Sequence, residues 1–292
     1  MNAAVREQAF LLGPRQSLVG ILTEPADPQA GENRPTFVIL NAGIIHRVGP
    51  SRMNVLLARA LASAGHDVLR FDLSGLGDSE PRPDGLAPFE AALADVREAI
   101  DWLETRRGAR SIVLVGLCSG ADHSLLYGGR DRRVRGLILI DPSTPRTRRY
   151  YVRHYGPRLI RPSVWFNVVL GRHLRVRRLA ARLAGRGDPA TYRPDLQSPE
   201  VHAILESAYR AALDQGVRLL MVFTSGLEHR LNYREQVLDA FPDVAFGDRL
   251  RLEYLQGADH TFTSEAHRSR LIGIATEWAG QTAFTPPSGA DS

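Results

Sequence analysis

The stretch Gly116-Leu117-Cys118-Ser119-Gly120-Ala121 constrains this 292-residue chain more than any other. It follows the apolar run Ile112-Val113-Leu114-Val115. A strand that ends in glycine, any residue, a nucleophile, any residue, glycine and turns at once into a helix holds its central side chain out at a sharp bend. Only small residues fit two positions before and after the centre, and here those are Gly116 and Gly120. The centre, Cys118, is the only cysteine of the chain. A helix N-terminus and a nearby imidazole both favour the thiolate, which attacks acyl groups and becomes acylated. The N–H of Ser119, the residue after the nucleophile, then faces the oxyanion. Two other readings remain. Centring the bend on Ser119 puts the bulky Leu117 at a tight position, and an inert buried cysteine in a structural turn needs no chemistry.

Around the elbow, strand-like runs occur at Phe10–Leu12, Leu18–Leu22, Phe37–Leu40, Val68–Phe71, Ile112–Gly116, Leu137–Ile140, Leu219–Phe223 and Leu250–Leu255. Helical spacing lies between most of them, as in Met53, Leu56, Leu57, Ala60, Leu61 and Ala64, or Phe89, Ala92, Leu93, Val96, Ile100 and Leu103. A last helix is expected from about Ser264 to Trp278. This alternation predicts an α/β protein with an eight-stranded, mostly parallel sheet and helices on both faces. The first two runs have no helix between them and predict an antiparallel pair at the sheet edge. Residues 141–218, 78 in all, separate the sixth and seventh runs, too many for an ordinary crossover. The expected organisation is a core of 1–142 and 216–281, a helical cap of 143–215 inserted after the sixth strand, and a flexible tail of 282–292.

All 37 basic residues are arginine, a bias that GC-rich coding accounts for. Residues 143–210 hold 14 arginines against Asp188, Asp195, Glu200 and Glu206. The rest of the chain carries a net negative charge, so the basic character belongs to the expected cap. Such a surface suits an acidic partner or a solvated lid whose arginines pair with acids of the core. No nucleic-acid-binding module is recognisable. No apolar run is long enough for a membrane span, and none near the first residues suggests a signal peptide. A lone cysteine forms no internal disulfide and no multi-cysteine zinc site, so a cytoplasmic enzyme without metal or cofactor is expected.

A base for the thiol should come from a loop after the last strand, and Gln256-Gly257-Ala258-Asp259-His260-Thr261 supplies His260. His123, on the expected elbow helix, is the lesser candidate. The acid that orients the imidazole is expected at Glu228, the first acid after the seventh strand, with Asp141, at the end of the sixth, as the alternative. Asp259 adjoins the histidine too closely to reach its far ring nitrogen.

Four motifs in order now resemble the α/β-hydrolase superfamily over about residues 8–142 and 216–280. They are Asn41-Ala42-Gly43, Asp72-Leu73-Ser74-Gly75-Leu76-Gly77-Asp78-Ser79, the elbow, and Gly257-Ala258-Asp259-His260. The order nucleophile, acid, histidine also matches. The resemblance implies a second oxyanion donor at the N–H of Ile44, although the usual histidine before the glycine is Ala42 here. It implies a structural role for the Asp72–Ser79 turn and a substrate roof for the cap. The stretch Asn41–Arg47 with this elbow resembles, more narrowly, the hydrolases found beside exosortase and exopolysaccharide systems, and stand-alone thioesterases. His46 and Arg47 beside the oxyanion loop suit either a substrate carboxylate or phosphate, or a role in the turn. The principal departure is cysteine for serine. The implied activity is hydrolysis of an ester or thioester through an S-acyl intermediate. Acyl transfer or cyclisation from the same intermediate is the alternative, and a non-catalytic binding protein on the same scaffold is the third. The substrate would be a small acyl compound, delivered in one version by an acidic acyl carrier protein on the arginine-rich cap.

Overall fold

A computed structural model describes residues 5–27, 34–159, 196–227, 230–282 and 284. Its eight strands are β1 (Val5–Leu12), β2 (Leu18–Pro25), β3 (Thr36–Ile39), β4 (Val68–Phe71), β5 (Ile112–Leu117), β6 (Val134–Ile140), β7 (Arg218–Thr224) and β8 (Leu250–Leu255). The α-helices described are α1 (Met53–Ser63), α2 (Pro88–Arg107), α3 (Ser119–Gly128), α4 (Arg148–Leu159), α5 (Pro199–Asp214), α6 (Gln236–Ala240) and α7 (Glu265–Gln281). The strands form one sheet in the order β1-β2-β4-β3-β5-β6-β7-β8. β2 runs antiparallel to β1 and β4, and all remaining neighbours are parallel. The edge hairpin and the mostly parallel sheet match the sequence expectation.

The central strands are apolar on both sides because helices cover both faces. Along β5, Ile112 and Leu114 enter one core and Val113, Val115 and Leu117 the other. The first core is closed by α2, α3 and α5 through Val96, Ile100, Leu125 and Tyr209. The second is closed by α1 and α7 through Leu57, Leu61, Leu271 and Ala275. β1 starts five residues earlier than its apolar run because it is an edge strand, largely exposed and therefore free to be polar.

The expected cap divides. Residues 160–195 lie outside the described residues. At the C-terminal end, however, α5 is a layer of the core and not a lid. Its Leu205, Tyr209, Ala212 and Leu213 are buried against the sheet side that also holds α3. Those four positions keep helical spacing, but the arginine count over 143–210 masks the stripe when the segment is read as one unit. The helix is well started: Pro199 occupies its first turn and the Ser198 hydroxyl accepts from Val201 N–H at 3.2 Å.

Tyr209 is fully buried, with its ring against Phe241 and Phe246. Among the described residues its hydroxyl has no hydrogen-bond partner. Burying an unpaired hydroxyl costs about 1–3 kcal/mol. Tyr209→Phe should therefore raise the unfolding free energy in urea by about 1 kcal/mol; a loss of stability would show that the hydroxyl is engaged.

Candidate active site

β5 ends at Leu117 and α3 begins at Ser119, so the whole reversal falls on Cys118. Its φ of 56° and ψ of −119° are strained for an L-residue, at a cost of about 1–3 kcal/mol. The glycines explain why the surroundings enforce this. A Cβ on Gly116 would overlap the Gly120 carbonyl carbon, and one on Gly120 would sit 2.5 Å from the Asn41 carbonyl oxygen. Cys118 N–H donates to the Ile140 carbonyl at 2.9 Å, tying the bend to β6. The cysteine side chain is left half-buried at the C-terminal edge of the sheet.

His260 follows β8 in the loop that Gly257 opens with a φ of 80°. Gly226 N–H donates to the Ala258 carbonyl and Gly257 N–H to Ser225 Oγ, at 2.9 and 2.8 Å, holding this loop to the end of β7. Asp259 shapes the turn that follows: it accepts from the hydroxyls of Thr261 and Thr263 at 2.7 and 2.6 Å and from both their N–H groups. Those bonds hold its carboxyl down at about 2.

The His260 ring meets Asp141, whose Oδ2 lies 2.8 Å from Nδ1. Asp141 sits just past β6 with a φ of 48°, its side chain 1% exposed. Its other bonds come from Thr224, through N–H to Oδ1 and Oγ1 to Oδ2, both at 2.7 Å. The carboxylate is thus buried yet fully engaged, the condition under which a buried charge is tolerated. Cys118 is near enough to this ring to act on its charge. The bond to Asp141 and then the influence of Cys118 raise the imidazole to about 9, against an opposing effect of burial. The structure thus brings Cys118, His260 and Asp141 together, with the imidazole bonded to Asp141 and under the influence of Cys118. Glu228 lies outside the described residues, and the carboxylate on His260 is the alternative named from sequence. His123 is not part of this group: it lies against Phe89, and burial pushes its ring down.

Facing the elbow, Asn41–Arg47 forms a tight loop after β3, closed by Ile45 N–H to the Ala42 carbonyl at 3.0 Å. A buried carboxylate anchors it. Asp72 Oδ1 accepts from Asn41 Nδ2 at 3.1 Å and from Arg47 N–H at 2.5 Å. The Arg47 guanidinium pairs with Asp72 and, at 2.6 Å, with Asp78. Arg47 is thereby committed to the turn. His46 is exposed, and its Nδ1 accepts weakly from Val48 N–H at 3.4 Å. Ile44 is 89% exposed at the loop tip, and Gly43 N–H donates to Ser119 Oγ at 2.7 Å. Ser119 opens α3, so its own N–H has no acceptor within the helix.

A further carboxylate escaped the sequence reading. Asp122, one turn along α3 from Cys118, accepts from Ser143 N–H at 2.8 Å and Ser143 Oγ at 2.7 Å. Burial pushes it up to about 6. It fastens the segment just past Asp141 to the elbow helix; the signal in sequence was its one-turn spacing from the cysteine. Among the described residues no cluster of His, Cys, Asp and Glu is arranged to hold a metal ion. No described helix is long and apolar enough to cross a membrane.

The model of a family described as the alpha/beta hydrolase fold matches residues 35–156. No curated protein matches the chain. Among solved structures, the chain is similar to an alpha-beta serine hydrolase homologue from Coxiella burnetii, at 17% identity and a TM-score of 0.56, covering 93% of this chain and 96% of that one. It is similar to the esterase Pf2001 from Pyrococcus furiosus, at 13% identity and a TM-score of 0.56 over 95% and 92% of the two chains. It is also similar to a dienelactone hydrolase from Anabaena variabilis, at 16% identity and a TM-score of 0.54 over 94% and 96%. At these identities the likeness is one of architecture: the chain has the α/β-hydrolase fold.

The raised His260 makes a pH prediction. A group held at about 9 in the folded chain, against 6.5 when free, adds stability that is complete below about pH 6.5 and lost as pH rises through 9. Urea unfolding should show this loss between those limits, and Asp141→Asn should flatten it. The His260 ring resonances should titrate near 9 in the parent and lower in the variant; an unshifted midpoint would remove Asp141 as the cause.

Proposed function

We propose that this α/β-hydrolase-fold chain is an acyl-ester or thioester hydrolase that works through an S-acyl-Cys118 intermediate. The observation that carries this reading is the half-buried Cys118 beside a His260 ring that is bonded to the buried Asp141 and raised by both. In this role the Cys118 thiolate attacks the acyl carbon, and the carbonyl electron pair moves onto oxygen. The N–H groups of Ser119 and Ile44 receive that oxyanion. On collapse, His260 gives its Nε2 proton to the departing alcohol or thiol, leaving the S-acyl enzyme. A water then attacks, neutral His260 takes its proton, and the carboxylic acid departs as the bond between the acyl carbon and Cys118 Sγ breaks, which restores the thiolate. Asp141 holds the ring in the tautomer that leaves Nε2 toward the sulfur, and it stabilises the imidazolium.

The engagement of Ser119 Oγ by Gly43 supports Cys118 over Ser119 as nucleophile. The cysteine also favours a second reading. A thioester intermediate accepts amines and thiols more readily than an oxygen ester does, so acyl transfer or cyclisation competes with hydrolysis. The exposed Arg146, Arg148, Arg149 and Arg153 begin five residues past Asp141. They support a carrier-borne acyl substrate, with an acidic acyl carrier protein as the delivering partner.

Cys118→Ala should lower turnover of p-nitrophenyl acetate by about 10³-fold or more and abolish the acyl adduct seen by intact mass. An adduct that survives would move the nucleophile elsewhere. Cys118 should react quickly with iodoacetamide at pH 7, and His260→Ala should slow it. A thiol indifferent to His260 would favour the non-catalytic scaffold. Free acid as product despite an added amine or thiol would favour hydrolysis, and amide or new thioester would favour transfer.

A further inference from the structure

We infer that the Ser119 side-chain hydroxyl is a positioning residue for the oxyanion pocket, holding the tip of the Asn41–Arg47 loop against the start of α3. The inference rests on the acyl-enzyme reading above and extends it to a side chain outside the catalytic group.

The loop is anchored unevenly. Its two ends are held from below by Asp72, through Asn41 Nδ2 and Arg47 N–H, and Leu73 N–H donates to Asn41 Oδ1 at 2.8 Å. Among the described residues its tip has no such support. A Cβ built on Gly43 would find no atom within 4 Å, and the neighbouring Ile44 is 89% exposed. Within the loop the turn is closed by Ile45 N–H to the Ala42 carbonyl and by Asn41 Nδ2 to the Ile45 carbonyl at 2.9 Å, and neither bond reaches Gly43 or Ile44. From outside the loop the tip is reached by Ser119 Oγ, which accepts from Gly43 N–H at 2.7 Å across 76 positions of sequence.

That bond spans the two donors assigned to the oxyanion. One donor is the N–H of Ser119 itself, and the other is the N–H of Ile44, the residue after Gly43. The hydroxyl therefore fixes the separation between the two N–H groups. Donors act on a developing charge only when they are already in place, because reorganising them costs part of what they give. Without the hydroxyl, an unpacked, solvent-exposed tip would have to be reordered in every turnover. The main-chain donors themselves would remain. The loss should thus fall on the transition state and not on substrate binding or thiol reactivity.

The test compares Ser119→Ala and Ser119→Thr with the parent in p-nitrophenyl butyrate hydrolysis, iodoacetamide alkylation and thermal melting. Alkylation forms no oxyanion, so it reads Cys118 and His260 apart from the pocket. The expected result is a fall in kcat of about tenfold or more for alanine, with KM, Tm and the alkylation rate unchanged, and recovery of most of the kcat by threonine, which keeps the hydroxyl. An unchanged kcat overturns the inference. So does a fall that runs in parallel with slower alkylation or a lower Tm, since that places the effect in the elbow or the fold. A parent protein that hydrolyses no ester and gains no acyl group on Cys118 overturns the acyl-enzyme reading and this inference together. Acylation of the parent beside an undiminished alanine variant overturns the inference alone.

Discussion

The site depends on a contact between backbones. At the end of β5 the chain turns into α3 so closely that Gly116 faces the Gly120 carbonyl and Gly120 faces the carbonyl of Asn41. No rotamer change relieves such a contact, because the opposing atoms are main chain. Three elements, β5, α3 and the exit of β3, are thereby locked at one point. The lock requires Cys118 to take a positive φ, and the strain persists because the flanking strands and helices are fixed in two separate cores. What the strain secures is a sulfur, a free helix-start N–H and the Asn41–Arg47 loop within reach of one another.

Two buried carboxylates then divide the work on either side of that point. Asp72 secures the loop that would face the oxyanion, by way of Asn41 and Arg47. Asp141 secures the imidazole and is itself secured by Thr224. Each is satisfied by several donors, so each serves as a fixed charge and not as a mobile one. Asp122 adds a third attachment, from α3 to Ser143, so that the segment carrying Asp141 is fastened to the helix carrying the sulfur.

What the sequence made legible follows from how each feature is encoded. The central strands announce themselves because both faces are buried and their runs are apolar throughout. The polar first half of β1 does not, since an edge strand owes little to burial. The elbow is legible because sterics demand glycines at fixed offsets. The acid is not, and the reason is topological: β6 and β7 are neighbours in register, Ile140 beside Val222. A carboxylate at the end of either strand can approach the same imidazole, and one-dimensional order does not choose between them. The cap was overdrawn because a local excess of arginine describes a surface, while α5 is defined by its inner face. The Ser119–Gly43 bond had no local signature, as its partners are brought together only by the sheet order β3-β5.

The charge state of His260 also bears on why a cysteine suits this group. A ring raised to about 9 is protonated at neutral pH, which is the form needed to deliver a proton to a leaving group. Deacylation by water needs the opposite form, a neutral base. The causes of the shift resolve the conflict. Asp141 is permanent, but the contribution from Cys118 exists only while the sulfur is free to carry charge beside the ring. In the proposed reaction, acylation converts that sulfur into a neutral thioester and the ring gives its proton to the departing group. One of the two supports for the imidazolium then disappears at the step where the imidazolium is no longer wanted. The base for the second half of the reaction is thus generated by the first half, and the anion re-forms on Cys118 only as the acyl group departs.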